Sequence, residues 1–430
     1  MFFPDDYKKR LLDPKIDLYM KSSGAICITG PKWCGKTTSG EYHCQNGSSI
    51  CIADDANNYA NRRLATMGPA LVLEGAKPRL IDEWQEVPQI WDAVRFEVDK
   101  SPEKGLFILT GSSVHDYIHS GAGRISPIKM SSMSLYETGD SLGQVSIQSL
   151  FDKPADEKFA PISTGTVLLT DIIRYCIRGG WPASINRTVE EAAILPKTYL
   201  ENTINKDVNT LTSVKNKRNH NKIEKLLYIL AENDSKIVPI TQILTEINSQ
   251  LEVTLSRNTL LDYFDVFDQL YLIEEQEAFL PRVNISRTIL KTPKHRFTDP
   301  SLVVATLGLN SELLMQDIDT LERVFDNLAV HELRVYSETS LDARVYHYSD
   351  SYKLDIDAVV QLNDGRWGAF QNRVAVDKID DAAKDLLKLK KAFEGTGKEP
   401  SVLGVISGLS NAAYQREDGV YVLPITSLKP

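Results

Sequence analysis

Short apolar runs rich in β-branched residues alternate with stretches of helical period over the first 135 residues. AICIT (25–29), ICIA (50–53), RLID (79–82), LFILT (106–110) and ISPIKM (125–130) are too short for helices and lack the alternation of a strand with one wet face. They predict five strands buried on both faces, with helical crossovers between them, and so a parallel α/β sheet. Residues 139–165, which include DKPADEKF, break the pattern with Gly, Ser, Pro and mixed charge and predict a boundary or exposed connection. From Leu168 to about Asn209 the pattern is helical, interrupted at Gly179-Gly180-Trp181-Pro182. Over 222–300 the order is helix, Pro239, helix, a further helix from about Ser256, then the β-like YLIEE, an order that suggests a helix-turn-helix with a wing. HELRVY, RVYHYS, LDIDAVVQL, WGAFQNRV, VLGVIS and VYVLPI in the last 115 residues are strand-like, with one amphipathic helix near 379–394. The expected divisions are 1–150, 151–215, 216–305 and 306–430.

Composition adds exclusions. With 430 residues, 42% hydrophobic and 25% charged, the chain is globular rather than disordered. Its 49 basic against 58 acidic residues leave a net charge of −9, so contact with nucleic acid or anionic lipid requires a local basic patch. The longest apolar candidate, Leu302 to Leu309, is far too short to span a bilayer, and Asp5 and Asp6 stand where a signal peptide has its apolar core. A cytoplasmic protein with no membrane partner is expected. Cys27, Cys34, Cys44, Cys51 and Cys176 contain no CxxC pair; zinc spacing is absent despite His43 beside Cys44, and the thiols read as reduced and buried.

The strongest chemical signal is Gly30-Pro31-Lys32-Trp33-Cys34-Gly35-Lys36-Thr37, a full GxxxxGK[ST] pattern between a predicted strand and a predicted helix. Gly30 and Gly35 permit the tight turn that points backbone N–H groups into one anion-sized nest, and the following helix adds its positive end. Residues 30–37 with Thr38 form the expected ATP cradle, in which Lys36 meets the β- and γ-phosphates and the Thr37 hydroxyl ligates Mg²⁺. RLIDE ends a strand with two acids. Asp82 is read as a second Mg²⁺ ligand and Glu83 as the group that polarises the attacking water, the alternative being a solvent-facing acidic pair. In Leu109-Thr110-Gly111-Ser112-Ser113, Ser112 is favoured over Thr110 as the polar residue beside the γ-phosphate, against a simple helix-capping role. Arg124 is read as an arginine finger for a neighbour's site or as a surface arginine.

GPKWCGKTT, LIDEWQEVPQIWDAVRFEVD and LFILTGSS resemble the prokaryotic AAA-type ATPase family found with domain of unknown function 4143. The match continues through GRISPIKMSSMSLYE, RGGWPASI, TPKHRFTDPSL, FDNLAVHELRVY and VYVLPITSL. The resemblance implies an AAA-like P-loop core of sheet order 5-1-4-3-2, a helical lid, a winged-helix-like middle, and a C-terminal domain similar to PD-(D/E)XK nucleases. In that last domain Glu332 would supply the helix acid and Asp357 the strand acid. Gln371 and Arg373 replace the carboxylate and lysine of the [E/D]-x-K pair, a departure that argues for an inactive fold.

Two basic clusters, Lys215–Lys225 and Arg282–Arg296, flank the expected helix-turn-helix and are candidates for gripping DNA phosphates. The intervening helix argues against this, because Asp262, Asp265 and Asp268 form an acidic ridge opposite Leu260, Phe264 and Phe267. The leading expectation is an Mg²⁺-dependent ATPase that uses hydrolysis to switch conformation, alone or as a homo-oligomer. The alternative is an ATP-dependent nucleic-acid-binding or nuclease-related protein with weak or no hydrolysis.

Overall fold

The computed structural model describes residues 7–54, 56–112, 123–154, 157–204, 218–281, 285 and 287–430. The chain divides into two compact units, residues 1–132 with 269–271 and residues 133–268 with 272–430.

The first unit contains α1 (Asp13–Ser22), β1 (Ala25–Thr29), α2 (Lys36–His43), β2 (Ser48–Cys51), α3 (Ala60–Met67), β3 (Arg79–Asp82), α4 (Gln89–Lys100), β4 (Phe107–Gly111) and β5 (Ile125–Lys129). Its sheet has the order β2-β3-β4-β1-β5 with every pair parallel. This is the order the resemblance implies. Alternate residues of each strand feed two cores, as the period of two requires. Ile26, Ile28, Leu80 and Ile108 pack with Leu12 and Ile16. Ala25, Cys27, Ile81 and Leu109 pack with Trp84, Ile90, Trp91 and Val94. Register brings the carboxyl ends level, with Thr29 beside Gly111 and Asp82 beside Thr110.

The second unit carries β6 (Val145–Ser146), β7 (Ile162–Ser163), β8 (Ile273–Gln276), β9 (Lys294–Phe297), β10 (Ala343–Ser349), β11 (Asp355–Leu362), β12 (Trp367–Arg373), β13 (Val402–Ser407), β14 (Ala412–Gln415), β15 (Tyr421–Pro424) and β16 (Leu428–Lys429). Seven of these form one mixed sheet in the order β10-β11-β12-β13-β15-β14-β7. The amphipathic helix Ile379–Phe393 covers it, burying Ala382, Ala383, Leu386, Leu389 and Phe393 while Lys384 and Lys388 pair with Asp381 and Asp385. HELRVY, expected as a strand, is the last third of the helix Ile318–Tyr336. Burial along that helix overrides the β-preference of its valines. In the middle, the helices Arg218–Glu232, Ile240–Ser249 and Arg257–Gln269 precede the antiparallel ribbon β8–β9. Leu260, Phe264 and Phe267 are buried and Asp262, Asp265 and Asp268 exposed, the two faces expected of that third helix.

The second basic cluster is largely committed inside this unit. Arg296 is 1% exposed; its guanidinium donates to Gln276 Oε1 (2.6 Å), Ser235 Oγ (2.6 Å) and Asp326 Oδ2 (2.8 Å). Lys294, also buried, pairs with Asp355, and Arg287 pairs with Asp350. Lys294 and Arg296 hold neighbouring strands and helices together from inside the unit and are not presented to a phosphate backbone, which corrects the expectation for those two; Arg287 is half-buried. Arg282, Lys215 and Lys217 lie outside the described residues, and so does the side chain of Arg218. In the rest of the first cluster, Lys225 donates to the carbonyl of Gln250 at 2.7 Å. Among the described residues no helix is long and apolar enough to cross a membrane.

Removing one partner of a buried ion pair leaves the other charge uncompensated. Arg296→Ala should therefore destabilise the second unit by about 3–5 kcal/mol, read from the midpoint and slope of urea unfolding.

Candidate active site

The loop from β1 to α2 turns where only glycine fits. Gly30 has φ 149°, and a Cβ there would lie 2.0 Å from the Met130 carbonyl oxygen. Gly35 (φ 104°) is the residue from which α2 starts. Lys36 is 6% exposed, and its ammonium donates to the carbonyls of Gly30 (2.9 Å) and Pro31 (2.7 Å), so its charge sits within the loop. Pro31 and Cys34 are buried, Trp33 and Thr38 exposed, and Lys32 lies between. Arg10, which no sequence signal singled out, donates to the carbonyls of Cys34 and Ser131, each at 2.8 Å. It ties the loop to the segment after β5. His43 on α2 is held by Asp13 (3.2 Å) and Asp17 (3.0 Å) from the same N-terminal region.

Asp82 lies where β3 meets this loop. Its Oδ1 accepts from Thr37 Oγ1 at 2.9 Å and from Thr110 Oγ1 at 2.5 Å. The β3–β4 register makes Asp82 and Thr110 direct neighbours, so the second contact follows from strand pairing. Thr110, passed over in the sequence reading, is thus the β4 residue on the acid. Ser112 lies beyond the strand end, 7% exposed. Glu83 adopts φ 54° and reverses the chain into a short turn over Trp84–Glu86. Burial raises the Glu83 carboxyl above the usual glutamate range; Asp82 pushes the same way, while Gln85, Lys36 and Lys32 act in the opposite sense.

Arg124 stands immediately before β5, at the amino end of strands whose carboxyl ends carry the loop. Five strand residues separate it from that end, about 16 Å. Its guanidinium pairs with Asp99 at 2.6 Å on the surface. Cys27, Cys34, Cys44 and Cys176 are buried, Cys51 is partly so, and burial pushes the Cys51 thiol up to about 11.

In the second unit, three of the four residues expected at a nuclease-like site, Asp357, Gln371 and Arg373, come together, and Glu332 stands apart. Glu332 is fully buried and accepts from the backbone N–H of Leu135 (2.9 Å to Oε1, 3.0 Å to Oε2) and from the Tyr336 hydroxyl (2.7 Å). It serves the first residue of the short helix Leu135–Thr138 and is not among the side chains around Asp357. The helix acids that share a cavity of about 250 Å³ with Asp357 are Asp319, Glu322 and Asp326. Period alone did not distinguish turns of one long helix. Asp357 Oδ2 accepts from Arg373 (2.8 Å) and the Asn372 N–H (2.9 Å), and Arg373 also donates to Gln371 Oε1 (2.9 Å). Burial, with the nearby Asp326 carboxylate, raises the Asp357 carboxyl despite Arg373. Among the described residues no group of three or more His, Cys, Asp and Glu is arranged to hold a metal ion. Glu332→Ala should leave the buried Leu135 N–H unpaired and the Tyr336 hydroxyl with only its longer bond to the Leu428 carbonyl, and cost about 1–3 kcal/mol in chemical denaturation.

Three family models match parts of the chain. Residues 22–139 match the family model described as an AAA domain, and residues 321–428 that of domain of unknown function DUF4143. Residues 169–313 match a further domain of unknown function, DUF8612. Uncharacterized proteins of Mycobacterium bovis and Mycobacterium tuberculosis are each 20% identical over 368 residues, 84% of this chain and 73% of theirs. Among solved structures, the Walker-type ATPase PABY2304 of Pyrococcus abyssi is 11% identical with a TM-score of 0.45, covering 70% of this chain and 96% of that one. The glycine loop on β1 and the Asp82 pairing thus lie within the region that matches the AAA domain, and the C-terminal sheet lies largely within the region that matches domain of unknown function 4143.

Proposed function

We propose that the first unit binds ATP with Mg²⁺ and hydrolyses it, and that Glu83 is the general base. The observation that carries this reading is the convergence of Thr37 and Thr110 on one oxygen of Asp82, with Glu83 next in the chain. The loop N–H groups and the start of α2 would receive the phosphates, and the Lys36 ammonium would neutralise them. Thr37 and Asp82 are hard oxygen donors 2.9 Å apart, a set suited to Mg²⁺, and they would hold it. Bound there, Mg²⁺ supplies charge neutralisation on the phosphate oxygens. Glu83 takes a proton from water as the water oxygen bonds to the γ-phosphorus. The bond from that phosphorus to the β–γ bridging oxygen breaks with its electron pair leaving on ADP.

Under this reading the second unit is the part that a nucleotide-driven change would act upon, and the DUF4143 region is a binding or assembly module rather than a nuclease. The pairing of Asp357 with Arg373 supports that, because the acid's charge is already balanced by a fixed cation. Arg124, at the opposite end of its own sheet, can complete a site only in a neighbouring copy stacked head to tail. Turnover per subunit that rises with protein concentration, and is lost in Arg124→Ala, would support that assembly; concentration-independent turnover with a normal Arg124→Ala would remove it.

Steady-state hydrolysis of MgATP tests the central reading. Lys36→Ala should weaken nucleotide binding by about 10- to 100-fold, measured by calorimetry. Glu83→Gln should retain binding while kcat falls by about 10²- to 10⁴-fold; wild-type turnover in this variant would show that Glu83 is not the base. The pH profile has a definite sign. A base with a raised pKa is lost as pH falls through that value, so the acid limb of kcat should lie above the ordinary glutamate pKa of about 4.3.

A further inference from the structure

Gln85 stands two positions beyond the proposed base. Trp84 is buried against Trp91, ring centroids 5.2 Å apart, and this anchors the turn that follows Glu83. The turn is closed by Glu86 N–H to Glu83 O (3.1 Å) and Val87 N–H to Trp84 O (3.0 Å). With Glu83 in the left-handed region the chain doubles back, and the Gln85 amide reaches the carboxylate two residues before it. Gln85 Nε2 donates to Glu83 Oε2. A carboxylate can only accept, so this contact fixes which end of the amide faces it.

The other end of the amide has its own fit. Gln85 Oε1 lies over Gly111 at the end of β4: a Cβ on Gly111 would come within 2.5 Å of that oxygen and 3.2 Å of Trp84 Nε1. The backbone of Gly111 lies outside the left-handed region, so conformation does not demand glycine there. Space does, and the space is filled by Gln85. The oxygen is buried and has no hydrogen-bond partner among the described residues. The side chain therefore spans from the end of β3 to the end of β4, beside the Asp82–Thr110 contact.

We propose that Gln85 is a positioning residue that fixes the Glu83 carboxylate for attack on the γ-phosphate, and that Gly111 is the gap that admits it. This rests on the reading of Glu83 as the base. A carboxylate on a free side chain samples several rotamers, and misplacing a reacting group by about 1 Å can cost about 10²-fold in rate. The amide donor removes that freedom without carrying charge, and it favours the ionised, proton-accepting form of the acid.

The test is MgATP hydrolysis by the full chain over a pH series, with nucleotide affinity measured separately. Gln85→Ala should lower kcat by about 10- to 100-fold, leave KM and nucleotide affinity within about twofold, and move the acid limb to higher pH, because a donor to the ionised form is lost. Gln85→Glu keeps the shape but faces Glu83 with a second carboxylate, and should move the limb further the same way. Gly111→Ala, which leaves Gln85 in place but closes its slot, should reproduce Gln85→Ala. A wild-type kcat and acid limb in both Gln85 variants would overturn the proposal. So would parallel loss of affinity and kcat with an unmoved limb, the signature of a damaged turn. Glu83→Gln separates the two claims. If it is inactive while the Gln85 variants are normal, only the role of Gln85 falls. If it turns over like wild type, or if the wild type has no turnover, the base assignment falls and takes this one with it.

Discussion

One oxygen of Asp82 accepts hydroxyl hydrogen bonds from Thr37, on the helix that follows the glycine loop, and from Thr110, on the neighbouring strand. Three segments distant in sequence meet at that atom, and the rest of the candidate site is arranged around it. The β3–β4 register sets Thr110, the turn after Gly35 sets Thr37, and the reversal at Glu83 places the next acid beside them. A slip of one residue in β3 would carry Asp82 to the other face of the sheet and dissolve the group. The buried alternation of Leu80 and Ile81 into opposite cores is what prevents such a slip.

The second unit depends on a different kind of contact. Arg296, Asp326, Asn372, Asp357 and Arg373 form a chain of hydrogen-bonded charges and amides through its interior. Burying charge is costly, and such a network favours the arrangement in which each buried charge and amide keeps its partners. Burial pushes the Asp326 carboxyl up, but Arg296 and Lys294, with Asn372, outweigh it and hold the group below its ordinary value. The network joins the ribbon β8–β9, the turn at Ser235, the helix Ile318–Tyr336 and strands β11 and β12. The middle helices and the C-terminal sheet of this unit are therefore linked by the arginine that the sequence suggested for DNA.

Local sequence determined much of the first unit. The five strands were readable because each is a short apolar run bounded by turns, and the loop because its glycines and lysine have few other physical uses. The positions of Lys36, Thr37, Asp82 and Glu83 at one end of the sheet were readable because strand-loop-helix order fixes which end they occupy. Tertiary structure alone set Thr110 beside Asp82, since only strand register says which residue of β4 lies there. It also decided Arg10, whose contacts with Cys34 and Ser131 span 24 and 121 residues, and the separation of Arg124 from the loop by the length of a strand. In the second unit only packing sets Glu332 against Leu135 and turns Asp319, Glu322 and Asp326 of the same helix toward Asp357, because sequence gives the period of a helix but not which turn faces a given strand. Arg296 and Lys294 looked like surface cations for the same reason: charge is visible in a sequence, but burial beside an opposite charge is a property of packing.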